Sequence, residues 1–292
     1  MVNFTTGAAT CASQAVQFID QSSTPGGIPT ISWMWDFGDP ASGIYNTSTQ
    51  QNPMHIFTGT GVYNVKLIVS NLNGCYDTVV KSVEISHLPV AQFTADSACL
   101  GTPTHFTDQS STSTGTITNW LWDFGDGYTS TLQNPEHTYM NWGTYAVTLT
   151  VTNGSGCQND ASMSVLVKPL PVAAFSYSGE CAGAPTYFTD MSVTPQGNIV
   201  QWLWDFGDGA SSSIANPVHV YSTGGTFTVN LTVINGMGCS SSTPQTVHIF
   251  NPPTANFSYN SVFCPATQVR FQDLTVGNGT PESCKGLVIL LR

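Results

Sequence analysis

The chain has 292 residues, enough for two or three domains, and sets 17 Asp and Glu against 6 Lys and Arg, a net charge of −11. A charge of that sign repels nucleic acid and anionic membrane surfaces, so neither is expected as a partner. Only 8% of residues are charged while 11% are aromatic, which excludes an acidic disordered tract and predicts packed cores.

Residues 1–10, MVNFTTGAAT, have neither the basic nor the apolar region of a signal peptide. Near the other end, the apolar run Leu287–Leu291 is too short to insert in a membrane. Eight Cys recur at regular positions, none with zinc spacing. Together these features read as a piece of a longer exported protein from an oxidising compartment, extracellular or at a cell surface.

The elements repeat in a fixed order. A Phe opens each unit (Phe4, Phe93, Phe175 and, in a partial fourth copy, Phe257), and a Cys follows at Cys11, Cys99, Cys181 and Cys264. Next comes a short strand ending in Asp: VQFID, THFTD, TYFTD and VRFQD. The segment WxWDFGD then places Trp35, Trp122 and Trp204 at intervals of 87 and 82 residues. Period two puts Trp120, Trp122 and Phe124 on one face, and Gly-Asp-Gly supplies a tight turn. The first copy is longer because PASGIYNTS extends the turn after Asp39, as a surface insertion would. An Asn-Pro-x-His step follows. After it, a strand in which Tyr145, Val147, Leu149 and Val151 alternate with Ala146, Thr148 and Thr150 is predicted to be half buried. Each copy reaches an Asn-x-x-Gly-Cys turn at Cys75, Cys157 and Cys239, and the Pro-containing joints HLPV, KPLPV and FNPPT are predicted to be semi-rigid. No window shows a sustained helical period. The expected architecture is all-β, a tandem of immunoglobulin-like antiparallel sandwiches at 1–88, 89–170 and 171–252, with a truncated fourth repeat at 253–292. From Pro281 onward, PESCKGLVILLR matches no part of the repeat, and the two remaining strands should not fold independently.

WDFGDG, NPxHTY, GTYAVTLTVTN and the closing Asn-Gly-x-Gly-Cys at fixed spacing resemble the PKD (polycystic kidney disease) domain over about residues 1–275. The resemblance implies an Ig-like sandwich of the kind found in surface-protein arrays and beside the catalytic domains of secreted hydrolases. Pro40 stands where that family has Gly, which should alter a turn and not the fold. The implied role is a non-catalytic stalk or adhesive array meeting proteins or polysaccharide at a cell surface, and neighbouring repeats of its own chain. The alternative is an accessory, polymer-binding region of a secreted hydrolase.

The candidate residues carry plain and functional readings. Trp35, Trp122 and Trp204 are expected core anchors. Asp36, Asp39, Asp123, Asp126, Asp205 and Asp208 are expected to accept backbone N–H bonds in hairpin turns. Calcium is a subordinate reading for Asp39, Asp126 and Asp208; no other cofactor is expected. His55, His137 and His219 have no nucleophile beside them, so they read as scaffold, and no enzyme activity is expected. Trp142 and Tyr128 lie outside the core pattern and are candidate ligand aromatics. Asp77-Thr78-Val79 and Asp96-Ser97-Ala98 resemble an O-glycosylation motif, and Asn153 and Asn230 head N-glycosylation sequons.

The implied sandwich leaves two disulfide patterns open. Pairing within repeats gives Cys11–Cys75, Cys99–Cys157 and Cys181–Cys239. In an Ig-type sandwich, however, the two Cys sit at opposite ends of strands, about 20 Å apart, too far for a bond. Pairing across joints, Cys11–Cys157 and Cys99–Cys239, is slightly favoured. It would leave Cys75 waiting for a preceding repeat and Cys181 for the missing end of repeat four.

Overall fold

The computed structural model describes residues 1–7, 10–24, 29–254, 256–259 and 271–274. The first repeat runs β1 (Phe4–Thr6), β2 (Ala15–Asp20), β3 (Thr30–Asp36), β4 (Thr47–Ser48), β5 (Met54–Ile56), β6 (Gly61–Asn71) and β7 (Tyr76–Ile85). The second runs β8 (Phe93–Ala95), β9 (Thr104–Asp108), β10 (Ile117–Asp123), β11 (Thr129–Ser130), β12 (Glu136–His137), β13 (Gly143–Asn153) and β14 (Gln158–Val167). The third runs β15 (Phe175–Ser178), β16 (Pro185–Asp190), β17 (Ile199–Asp205), β18 (Ser211–Ser212), β19 (Val218–Val220), β20 (Gly225–Asn235) and β21 (Ser240–Ile249). Each repeat makes a three-stranded and a four-stranded antiparallel sheet, ordered β1-β2-β5 and β4-β3-β6-β7 in the first and equivalently in the others. Seven strands in two facing sheets form the immunoglobulin-like sandwich.

Alternation along the strands builds the core. Val147, Leu149 and Val151 of β13 are buried and meet Phe93 and Phe106 of the opposite sheet around Trp122. Phe4 and Phe18 enclose Trp35 in the first repeat, as Phe175 and Phe188 enclose Trp204 in the third. Edge-to-face and tilted ring contacts hold these clusters, with Phe93 5.0 Å and Phe106 5.5 Å from Trp122.

The chain divides into two compact units, Met1–Val167 with the first two sandwiches and Lys168–Arg292 with the third. At Pro40 the insertion forms a 3-10 segment, Pro40–Asn46, interrupted at Gly43, and β3 still pairs with β4 beyond it. Of the fourth copy, β22 (Phe257–Tyr259) and β23 (Phe271–Asp273) pair antiparallel, Phe257 opposite Asp273. Phe257 is 62% exposed, whereas the equivalent Phe175 is 8% exposed. Cys264 and the aberrant 281–292 segment lie outside the described residues.

Candidate functional site

The WDFGD turn owes its sequence to backbone geometry. The first Asp accepts the N–H of the following Gly through Oδ1, at 3.0 Å for Asp36, 2.9 Å for Asp123 and 3.0 Å for Asp205. That Gly has positive φ and lies against the adjacent strand: a Cβ on Gly125 would fall 2.5 Å from the Ala146 carbonyl oxygen. No residue with a side chain fits there.

The second Asp of the motif joins a ring cluster. Asp126 Oδ2 meets His137 Nε2 at 2.7 Å while its Oδ1 accepts the Tyr128 N–H. Asp208 repeats this with His219 at 2.7 Å and the Ala210 N–H. Each His lies flat on a Phe, at 4.2 Å on Phe124 and 4.3 Å on Phe206, with a Tyr against its edge. Those tyrosines, Tyr139 and Tyr221, donate their hydroxyls to the Phe124 and Phe206 carbonyls, and burial with the nearby Asp126 or Asp208 carboxylate pushes their pKa well up.

In the first repeat the pair closes into the interior. Asp39 receives His55 at 3.2 Å and both the N–H and the hydroxyl of Thr58, at 2.9 and 2.6 Å. Burial raises the Asp39 pKa, but these bonds outweigh it and hold the carboxyl below its ordinary value; burial pushes His55 below its own. Asp208 is likewise held low: the His219 and Ala210 bonds outweigh its burial. N–H and O–H donors, with the His rings, thus bond the carboxylate oxygens of Asp39, Asp126 and Asp208. Among the described residues no three His, Cys, Asp or Glu side chains come together as a metal site. The side chains of His55, His137 and His219 each bond an Asp carboxylate and stack on a Phe ring.

The two Trp of each WxW segment divide their roles. Trp35, Trp122 and Trp204 are fully buried, and Trp122 donates Nε1–H to the Leu132 carbonyl at 2.8 Å. Trp33, Trp120 and Trp202 are half buried and donate at 2.7 Å to Asp20, Asp108 and Asp190, the Asp residues that end β2, β9 and β16. Burial raises the Asp20 and Asp108 pKa, but hydrogen bonds, chiefly from Ser22 and Ser110, outweigh it and hold both low. Trp142 is 47% and Tyr128 62% exposed, with the Tyr128 ring 5.7 Å from His137. The insertion of the first repeat borders a groove of about 570 Å³ lined by Tyr45, Met54, Ile56, Gln50 and Thr58. Ser42, Tyr45 and Thr47 bring the inserted segment to the groove.

The joint between the first two repeats is the most heavily built site. Cys11 and Cys157 form a disulfide with Cα atoms 5.6 Å apart. Both are buried. Cys11 bridges to Ser86 at the end of its own sandwich, which brings it to the joint. Asn153 Nδ2 donates to the His87 carbonyl at 2.9 Å and Asn159 Nδ2 to the Pro89 carbonyl at 2.9 Å. In the second unit Asn235 Nδ2 donates to the Pro169 carbonyl at 3.0 Å. Both within-repeat pairings that involve these two sulfurs, Cys11–Cys75 and Cys99–Cys157, are therefore excluded. Cys75 is exposed and free; Cys99, Cys181 and Cys239 are disulfide-bonded. The expectation that Cys181 waits without a partner is corrected by that bond.

Sequence reasoning missed the asparagine clamp, although Asn71, Asn153 and Asn235 recur at identical positions before each Gly-Cys. The Asn153 sequon is also corrected. Asn153 is buried, its amide spent on His87 and its oxygen on the Ser155 and Cys157 N–H groups, so no glycan can attach there. Thr78 and Ser97 are exposed, and Ser97 donates to the Leu166 carbonyl.

The model of the family described as "PKD domain" matches residues 1–87, 86–168 and 167–250. A collagenase, ColA, of Bacillus cereus is 37% identical over 83 residues, 28% of this chain and 9% of that protein. Polycystin-1 of Homo sapiens is 28% identical over 215 residues, 68% of this chain and 5% of that protein. The crystal structure of the PKD1 domain from the Vibrio cholerae metalloprotease PrtV is 36% identical, covers 28% of this chain and 98% of that domain, and has a TM-score of 0.26. The chain spans less than a tenth of either curated relative. Three consecutive matches across most of its length place the chain in the PKD domain family.

Proposed function

We propose that this chain is a non-catalytic extracellular spacer whose PKD repeats are stapled to one another, so that it holds a neighbouring domain at a defined distance and orientation. The observation that carries the reading is the joint: one disulfide crosses from the first sandwich to the second, and two asparagine amides bind the connecting backbone. A flexible linker would leave those carbonyls to water, whereas here the following repeat takes them. Disulfides of this kind persist in oxidising compartments, which supports an extracellular setting.

The test is the relative order of the first two repeats in solution, read from NMR residual dipolar couplings on the full chain. One alignment tensor should describe both repeats, and reduction of the disulfides should separate them. Two independent tensors under oxidising conditions would defeat the reading.

The collagenase relative favours a second reading, an accessory region that brings a hydrolase to an insoluble polymer. The exposed Trp142 and Tyr128 are the side chains it would use. Pull-down on insoluble protein and polysaccharide, with W142A and Y128A variants, decides it: retention lost in both variants supports it, and no retention on any polymer removes it.

A further inference from the structure

The joint that binds repeats one and two has two halves, and the first repeat displays one half with its cysteine free. In the second repeat the receiving half is the turn after β13. Asn153 Oδ1 accepts the Ser155 and Cys157 N–H groups at 3.1 and 3.0 Å, Gly156 takes φ 80°, and the Asn153 amide and Cys157 sulfur point to the preceding repeat. The third repeat builds the same turn: Asn235 accepts from Met237 and Cys239 at 3.1 and 3.0 Å, Gly238 takes φ 83°, and the Asn235 amide binds the Pro169 carbonyl of the joint before it.

The first repeat forms this turn with the same geometry. Asn71 Oδ1 accepts the Asn73 and Cys75 N–H groups at 3.0 and 3.1 Å, Gly74 takes φ 77°, and the Asn71 N–H reaches the Cys75 carbonyl as Asn153 reaches Cys157. Yet Cys75 is an exposed thiol where Cys157 and Cys239 are buried and bonded. Leu72 and Tyr76 beside it are 66% and 78% exposed.

We propose that this face of repeat one is a socket for another module of the same kind, lying ahead of it in the same polypeptide, whose first Cys bonds Cys75 and whose joint carbonyl receives the Asn71 amide. The occupant follows from the filled socket within unit one: Cys157 holds Cys11 of the module just before it, and the joint clamped there is the one connecting the two. One feature would differ from that pattern. The position of Asn159 is Asp77 here, which cannot donate, so a single amide clamp is expected, as in repeat three, where Ser241 holds that place. This inference rests on the stapled-joint reading and extends it to a partner.

The test adds a module to the full chain. A copy of residues 1–89 is fused directly before Met1, which keeps the spacing from Pro89 to the next opening Phe. The copy carries C75S to remove its own spare thiol and Q14N to mark its Cys11 peptide by mass. Non-reducing peptide mapping and maleimide labelling of the native protein are the readouts, with the original Cys11–Cys157 bond as internal control. The expected result is a bond between the marked Cys11 and Cys75, and loss of Cys75 labelling. Labelling of Cys75 undiminished while Cys11–Cys157 is intact would overturn the socket and leave the stapled joint standing. Absence of Cys11–Cys157 as well would overturn both.

Discussion

Removing the staple with the double variant C11A/C157A tests the energetics of the joint. The bond closes a loop of 146 residues in the chain. The chain-entropy relation for such a loop gives about 5 kcal/mol of unfolded-state restriction, and measured disulfides deliver roughly 2–4 kcal/mol. Alanine is the right replacement because both sites are buried, and serine would bury two new hydroxyls. A loss of about 3 kcal/mol corresponds to a fall of roughly 10–20 °C in melting temperature for domains of this size. Calorimetry of the oxidised chain, with hydrogen exchange to assign each transition, is the assay. Protection should fall in residues 1–167 and stay unchanged in the β16–β21 strands of repeat three. A loss under about 1 kcal/mol in the first two repeats, or one shared equally by repeat three, would refute the reasoning.

Three further outcomes follow from single residues. Truncating Trp122 to Ala should cost about 3–5 kcal/mol in repeat two, because a fully buried indole leaves a cavity between the sheets; chemical denaturation of that repeat, followed by hydrogen exchange, measures it. G125A should cost about 2–4 kcal/mol by the same assay, since the new Cβ meets the Ala146 carbonyl oxygen at a φ of 79°. The pH dependence of repeat one should differ from that of a plain carboxylate protein. His55 titrates below its ordinary value of 6.5 when folded, so its contribution is present above 6.5 and is lost as pH falls toward the folded value. The Asp20 and Asp39 contributions are present above 3.8 and are lost below it. H55Q should therefore flatten the stability profile just below pH 6.5 and leave the acid limb below 3.8; an unchanged profile from pH 7 to 5 would count against the buried pair.

The fold was legible because period-two alternation in Tyr145–Val151 and its equivalents can only be a half-buried strand, and the repeat displays each strand three times. The cross-joint bond was legible in outline once strand length set the two cysteines of a sandwich at opposite ends. What stayed hidden depends on contacts between side chains and another segment's backbone. Asn153 reads as a glycan sequon in one dimension and is a buried clamp in three, because nothing periodic marks which carbonyl an amide will find. His137 was legible as scaffold, but its stacking on Phe124 and its bond to Asp126 need β12 beside the turn after β10. The groove of repeat one was hidden for a different reason: an insertion reads as a surface loop whether or not its apolar residues border a cavity.

The central claim is that successive repeats are bonded across their joint, and non-reducing peptide mapping of the purified chain tests it most directly. The account predicts a peptide linking Cys11 to Cys157, with Cys75 the labelled thiol among the described residues. A peptide linking Cys11 to Cys75, or Cys99 to Cys157, would contradict it.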